Sequence, residues 1–84
     1  MKKAARIKVS NNFPETIVLF LEPWGEDYWM KPKDEFEIIV KNIGEDFYFH
    51  VVFDEDVTVY AEGQVTDIGV YQNEKLLQYG HNRK

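Results

Sequence analysis

The sequence predicts an all-β domain, an antiparallel β-sandwich of seven or eight short strands, with a small β-barrel as the alternative. Apolar and polar residues alternate with period two in several segments, which is typical of half-buried strands. Turn residues separate these segments about every eight to twelve residues, the spacing expected of sandwiches and barrels. Helical periodicity is hard to find anywhere in the chain.

The first half of the chain contains four predicted strands. They cover residues 6–10, 16–22, 27–30 and 35–41. The second is apolar on both sides, which predicts a central strand covered on both faces. The third lies between Gly25 and Pro32 and is the predicted edge strand. In the fourth, Phe36, Ile38 and Val40 share one face and charged residues share the other.

The second half contains the remaining predicted strands. They cover residues 47–53, 57–62, 64–71 and 76–79. Alternation in the first of these predicts two opposite faces. The inward face is expected to carry Phe47, Phe49, Val51 and Phe53, and the outward face Tyr48, His50 and Val52. Residues 54–56 and 72–75 are predicted hairpin turns, and Val57, Val59 and Ala61 share an inward face.

The length of 84 residues predicts a single domain over residues 1–84, with residues 1–5 and 80–84 frayed. Hydrophobic residues make up 44% of the chain and supply enough apolar surface for a small core. The absence of cysteine favours a cytoplasmic protein. No apolar run approaches the roughly 20 residues that a membrane span needs, and no signal peptide is recognisable, so no membrane partner is expected.

Charge narrows the range of partners. The net charge is −5, and residues 12–70 contain 14 acidic and three basic residues. A nucleic-acid backbone would be repelled by this excess, so no nucleic-acid partner is expected. The acidic body would suit a basic protein partner, but an ordinary solvated surface is the favoured interpretation.

The residue types that carry catalysis are scarce. Ser10 is the only serine and lies outside any G-x-S-x-G motif, and there is no cysteine nucleophile. His50 and His81 lack the spacing of a zinc site, and the three acids at residues 54–56 do not form an EF-hand loop. A pair of catalytic carboxylates needs a cleft for which this chain has little room. We therefore expect no enzyme activity, no metal and no cofactor.

Aromatic residues provide the candidate binding surfaces. The candidate residues are Trp24, Tyr28, Trp29, Tyr48, His50 and Tyr60. The first three cluster near one corner, where the tryptophans either plug the open end of the sandwich or stack on a ligand. The other three share one sheet face, which is either core beneath a second sheet or an exposed patch that marks an interface.

One segment resembles a known group of proteins. The residues Leu21-Glu22-Pro23-Trp24-Gly25-Glu26-Asp27-Tyr28, followed by Met30 and Pro32, are similar to an L-E-P-W-G segment in small uncharacterised bacterial β-domain proteins. The similarity covers roughly residues 17–40. It implies a β fold and no assigned activity. Lys33 stands where the group often has glycine, so the turn there is expected to differ.

These observations predict a non-enzymatic binding or accessory module of unknown role. Its partner would be a protein, reached through a sheet edge or the aromatic sheet face, with residues 27–30 as the leading edge. The chain itself is expected to be a monomer or a weak homo-oligomer. The alternative is a small-ligand binder for a carbohydrate or a cation that uses Trp24, Tyr28 and Trp29.

Overall fold

The computed structural model describes residues 3–83, which form two four-stranded sheets. The strands are β1 (Lys3–Ser10), β2 (Ile17–Glu22), β3 (Glu26–Met30), β4 (Glu35–Ile43), β5 (Tyr48–Asp54), β6 (Asp56–Glu62), β7 (Asp67–Gln72) and β8 (Lys75–Leu76). The strand order is β1-β4-β7-β8 in the first sheet and β3-β2-β6-β5 in the second. The sheets do not close on each other, so the predicted sandwich is confirmed over the barrel.

One strand pair departs from the predicted antiparallel arrangement. The other named pairs are antiparallel, whereas β2 and β6 run parallel, with Leu19 opposite Val57. A parallel neighbour cannot follow a short hairpin and needs a crossover connection. Here the crossover contains β3, β4 and β5, and β4 lies in the opposite sheet.

The core lies between the sheets and follows the period-two pattern of the sequence. The apolar side chains with at most 1% exposure are Leu19, Leu21, Met30, Phe36, Ile38, Val40, Val57, Val59 and Val70. Alternate residues of β4 and β6 supply most of them, which confirms the predicted inward faces of these two strands. Burial of such side chains is the main favourable contribution to folding a small sandwich.

Two predicted strand faces are wrong in part. Strand β2 is central within its sheet, but the other sheet covers only one of its faces, and Val18 and Phe20 lie on the outer face. Phe53, predicted inward, is 76% exposed. It belongs to β5, the last strand of its sheet, where no further strand covers the inward side. Phe47, also predicted inward in this strand, precedes β5 and is half-buried.

Several predicted strand limits also shift. The first strand begins at Lys3, not at residue 6, so residues 3–5 are paired with β4 and only Met1 and Lys2 of the predicted frayed start lie outside the described residues. The predicted strand 64–71 corresponds to β7, which begins three residues later and ends at Gln72, and the predicted strand 76–79 corresponds to the two-residue β8, which begins at Lys75. The predicted turn 72–75 is thereby shortened to residues 73–74. The N–H of Leu77 donates to the carbonyl of Val70 (2.8 Å), which continues the β7–β8 register by one residue beyond β8.

The C-terminal residues 80–83 are docked, where the sequence predicted a frayed end. The N–H of Trp29 donates to the carbonyl of His81 (2.9 Å), and the N–H of Gly80 donates to the carbonyl of Asp27. The His81 ring also packs edge-on against Phe36, with ring centroids 5.7 Å apart. The tail therefore occupies the free side of β3, the edge that the sequence singled out. Lys84 lies outside the described residues.

Asn11 organises the corner between β1 and β2. Its side chain is fully buried, and Nδ2 donates to the carbonyls of Glu15 (2.8 Å) and Met30 (2.9 Å). Its Oδ1 accepts from the N–H of Phe13 (2.9 Å). Every polar atom of the side chain thus has a partner where water is excluded, which ties the corner to the end of β3.

Replacement of Asn11 by aspartate should lower the free energy of unfolding by about 2–4 kcal/mol, because the new carboxylate would face two buried carbonyl acceptors. Urea unfolding monitored by circular dichroism measures the loss. Asn12→Asp, at the exposed neighbouring position, is the matched control and should change stability little. Equal stability of the two variants would contradict the role assigned to Asn11.

Candidate functional site

The outer faces of the two sheets differ in chemistry. On the first sheet, β1 and β4 present charged side chains that neutralise one another. Arg6 lies 3.7 Å from Glu37, and Lys8 lies 3.8 Å from Glu35. These are exposed ion pairs, which contribute little stability but keep the face well hydrated. Such a surface is ordinary for a folded domain.

The outer face of the second sheet is rich in aromatic and apolar side chains. We call it the aromatic face, and it consists of Phe20, Tyr48, His50, Val52 and Tyr60. Tyr48 is 58% exposed, and His50, Val52 and Tyr60 are also exposed. The sequence left open whether His50 lies in the core or in an exposed patch. Its exposure shows that it belongs to the exposed patch.

The β5–β6 hairpin positions this face. Val57, Val59 and Ala61 of β6 are buried, and the residues between them must therefore point outward. The register then places His50 directly opposite Tyr60. Their ring centroids lie 5.5 Å apart and the planes are tilted by 32°, a partly stacked pair.

Carboxylates surround the aromatic face. Glu62 is paired with Tyr48 across the hairpin, and its Oε2 lies 3.8 Å from Nδ1 of His50. Glu22 is opposite Tyr60 on the β2 side. Sequence analysis missed the contribution of these two acids, because their position depends on the pairing of β2 and β5 with β6. Aromatic rings bordered by carboxylates form a surface suited to cationic side chains.

The corner aromatics do not form a common site. Tyr28 is 4% exposed and points into the core, where its hydroxyl donates to Oε1 of Glu26 (2.9 Å). Burial raises the pKa of the Tyr28 hydroxyl above its usual value. Trp29, the next residue, points to the opposite face, since side chains alternate along a strand. The predicted grouping of these two with Trp24 is therefore wrong.

The two tryptophans also have different surroundings. Trp24 lies in the β2–β3 turn and is 43% exposed, so it does not plug an end of the core. Trp29 is half-buried beside Val18 on the outer face of the second sheet. Its indole N–H donates to Oδ2 of Asp27 (2.7 Å), so this donor is already engaged.

Asp27 connects the tail to β3. Its carboxylate accepts hydrogen bonds from Nε (2.9 Å) and Nη2 of Arg83. The hydrogen-bonded Arg83 guanidinium, with a smaller contribution from the Trp29 indole, lowers the pKa of Asp27 from 3.8 to about 2. This charge-assisted pair joins the tail to β3.

Three concave surfaces of residues 3–83 are lined by none of the six predicted binding residues. An open groove of about 470 Å³ runs over the outer side of the first sheet and is lined mainly by charged and polar residues. A second groove of about 650 Å³ lies beside the Glu55 turn and is bounded by Phe13, Glu15 and Asp56. A smaller cleft of about 180 Å³ opens between β1 and β5, with Phe13 and Phe53 at its mouth.

Comparisons with protein-family models, curated proteins and solved structures found no match. The resemblance carried by the L-E-P-W-G segment therefore remains a hypothesis.

Among residues 3–83, histidine, aspartate and glutamate side chains form no group of three or more that could hold a metal ion. The same part of the chain contains no helix of the length and apolar character that crossing a membrane requires.

Removal of the Arg83 charge should raise the pKa of Asp27. A carboxyl whose pKa is lowered by folding stabilises the protein above its unfolded pKa, and that contribution disappears as the pH falls from 3.8 to about 2. Arg83→Met should therefore be less stable than the wild type above this range and equally stable below it. Carboxyl ¹³C NMR titration measures the pKa, and Lys75→Met is the control. An unchanged Asp27 pKa would contradict the ion pair.

The two tryptophans should differ in access to a neutral quencher. Acrylamide should quench Trp24 readily and Trp29 less, because only Trp24 is exposed in a turn. Fluorescence of the single variants Trp24→Phe and Trp29→Phe separates the two signals. Equal quenching of both indoles would show that their surroundings are not those described above.

Proposed function

We propose that this chain is a non-enzymatic protein-binding module whose contact surface is the aromatic face. The single observation that supports this proposal is the exposure of Tyr48, His50 and Tyr60 on one sheet face, beside Val52. Contiguous exposed apolar and aromatic surface on a small domain usually marks an interaction site. On the outer face of the first sheet, β1 and β4 carry mainly charged side chains, and the exposed Leu76 lies opposite Tyr71.

The chemistry of the surface indicates the kind of partner. Tyrosine and histidine rings provide flat contact area and hydrogen-bonding edges, and Tyr residues are enriched at protein interfaces. The bordering carboxylates Glu22 and Glu62 add negative charge. A partner with exposed lysine or arginine side chains would satisfy both features, through ion pairs at the border and cation–π contacts over the rings.

Two other predicted binding modes have less support. The edge of β3 is occupied by residues 80–83, so an added strand would first have to displace them. A carbohydrate or cation platform of Trp24, Tyr28 and Trp29 would require a tyrosine that is buried.

We also propose a cytoplasmic location, on the basis of the cysteine-free composition.

Capture of partners by the immobilised 84-residue chain tests the proposal. The variant Tyr48→Ala/His50→Ala/Tyr60→Ala removes the three rings, and recovery of the specific partner should fall by about tenfold or more if they carry the binding energy. The matched control is Leu76→Ala/Tyr79→Ala, which removes two exposed apolar side chains elsewhere.

Partner recovery can be compared only between folded proteins, so circular dichroism and thermal unfolding first verify that each variant is folded. The aromatic face is supported if the control retains the partner and the triple variant loses it. Equal recovery by the triple variant and the wild type would overturn the proposal. The charge preference is tested by salt: a basic partner should dissociate more readily at high ionic strength.

A further inference from the structure

One side of the sandwich has unpaired strands in both layers. Strand β1 ends the first sheet and β5 ends the second. Ser10 and Asp54, the last residues of these strands, line the same cleft between the sheets. The two strands therefore lie one above the other and run in the same direction. Among residues 3–83, the tail covers β3, whereas no segment covers this opposite side.

Apolar side chains are exposed along this side. Phe53 is 76% exposed and Phe13 62% exposed, and both border the cleft above Val9. Phe49, Val51 and Ile7 are only partly buried although they face the core. Two open strand edges that flank a partly uncovered core constitute a surface prone to pair with another chain.

The two edge strands carry opposite formal charge, and the basic residues Arg6 and Lys8 also form exposed ion pairs with Glu37 and Glu35 of β4. Strand β1 contains Lys3, Arg6 and Lys8 and no acidic residue. Strand β5 contains no lysine or arginine, ends at Asp54 and is followed by Glu55 and Asp56. Pairing β1 with β1 or β5 with β5 would bring like charges together, whereas pairing β1 with β5 brings opposite charges together.

We propose that two copies of this chain associate through this side, with β1 of each copy added to β5 of the other. β1 and β5 lie on the same side of the sandwich but in opposite sheets. A two-fold axis parallel to the strands would therefore place β1 of each copy beside β5 of the other, so that the two strand pairs form at once. Each sheet of one copy would then continue into a sheet of the other. Such an interface is isologous and closes at a dimer.

The same two-fold axis also brings side chains of complementary charge and polarity together across the interface. Because the axis preserves strand direction and level, Ser10 of one copy falls beside Asp54 of the other. Lys8 then lies on the same outer face as Asp54 and within a diagonal cross-strand distance of it. The inward residues Ile7 and Val9 meet Val51 and Phe53, which closes the cleft over the core. This inference concerns an edge and does not depend on the proposed function of the aromatic face.

Sedimentation velocity of the 84-residue chain tests the proposal. Between about 1 μM and about 1 mM protein, the apparent mass should rise from 10.0 kDa toward twice that value. Lys8→Glu and Asp54→Lys should each weaken dimerisation by roughly tenfold, because each makes two like-charge contacts in the dimer. The double variant Lys8→Glu/Asp54→Lys should recover the association of the wild type. Lys75→Glu, at the far end of the first sheet, is the control with the same charge change and should behave as the wild type.

Three results would overturn the proposal. The first is a wild-type chain that stays monomeric at the highest concentration. The second is stronger association of Lys8→Glu, which is the result expected if β1 paired with β1. The third is a double variant that associates no better than the single ones. If Lys8→Glu does not fold, the salt dependence of the wild-type dimer replaces it, and insensitivity to salt contradicts the pairing of β1 with β5.

Discussion

The two sheets pack against each other, and each sheet buries only one of its two faces. The position of the core and the exposure of the aromatic face both follow from this constraint. Leu19 and Leu21 of β2 and Val57 and Val59 of β6 fill the layer between the sheets, and their burial fixes the facing of every neighbouring residue in the second sheet. A two-layer domain has no third layer to cover its outer faces. Apolar residues at the alternate positions of β5 and β6 consequently remain in water, which creates the aromatic face.

The protection of the sheet edges is unequal. Strand β3 is covered by residues 80–83, which are held by backbone hydrogen bonds and by the Asp27–Arg83 ion pair. Natural sheets protect such edges because open backbone groups pair readily with other chains. The edges of β1 and β5 have no such cover within the described part of the chain, and their opposite charges suit each other. The fold thus separates a closed side from a side with the properties of an interface.

Much of the architecture could be predicted because it depends on local patterns. The inward faces of β4 and β6 and the β5–β6 hairpin follow from period-two alternation and turn residues. The parallel pairing of β2 and β6 depends on contacts distant in sequence, which no local pattern records. A common site of Tyr28 and Trp29 conflicts with strand geometry, since adjacent residues of a strand point to opposite faces. The acids around the aromatic face and the docked tail could not be predicted, since both depend on which strands become neighbours.

The second sheet has one buried face and one aromatic face in contact with water. Solvent paramagnetic relaxation enhancement of the tyrosine ring protons, with a soluble gadolinium chelate on a dilute sample, distinguishes the two faces. Strong enhancement is expected at Tyr48, similar to that at the exposed Tyr79, and weak enhancement at the buried Tyr28. Protection of Tyr48 together with exposure of Tyr28 would show that the two faces are reversed.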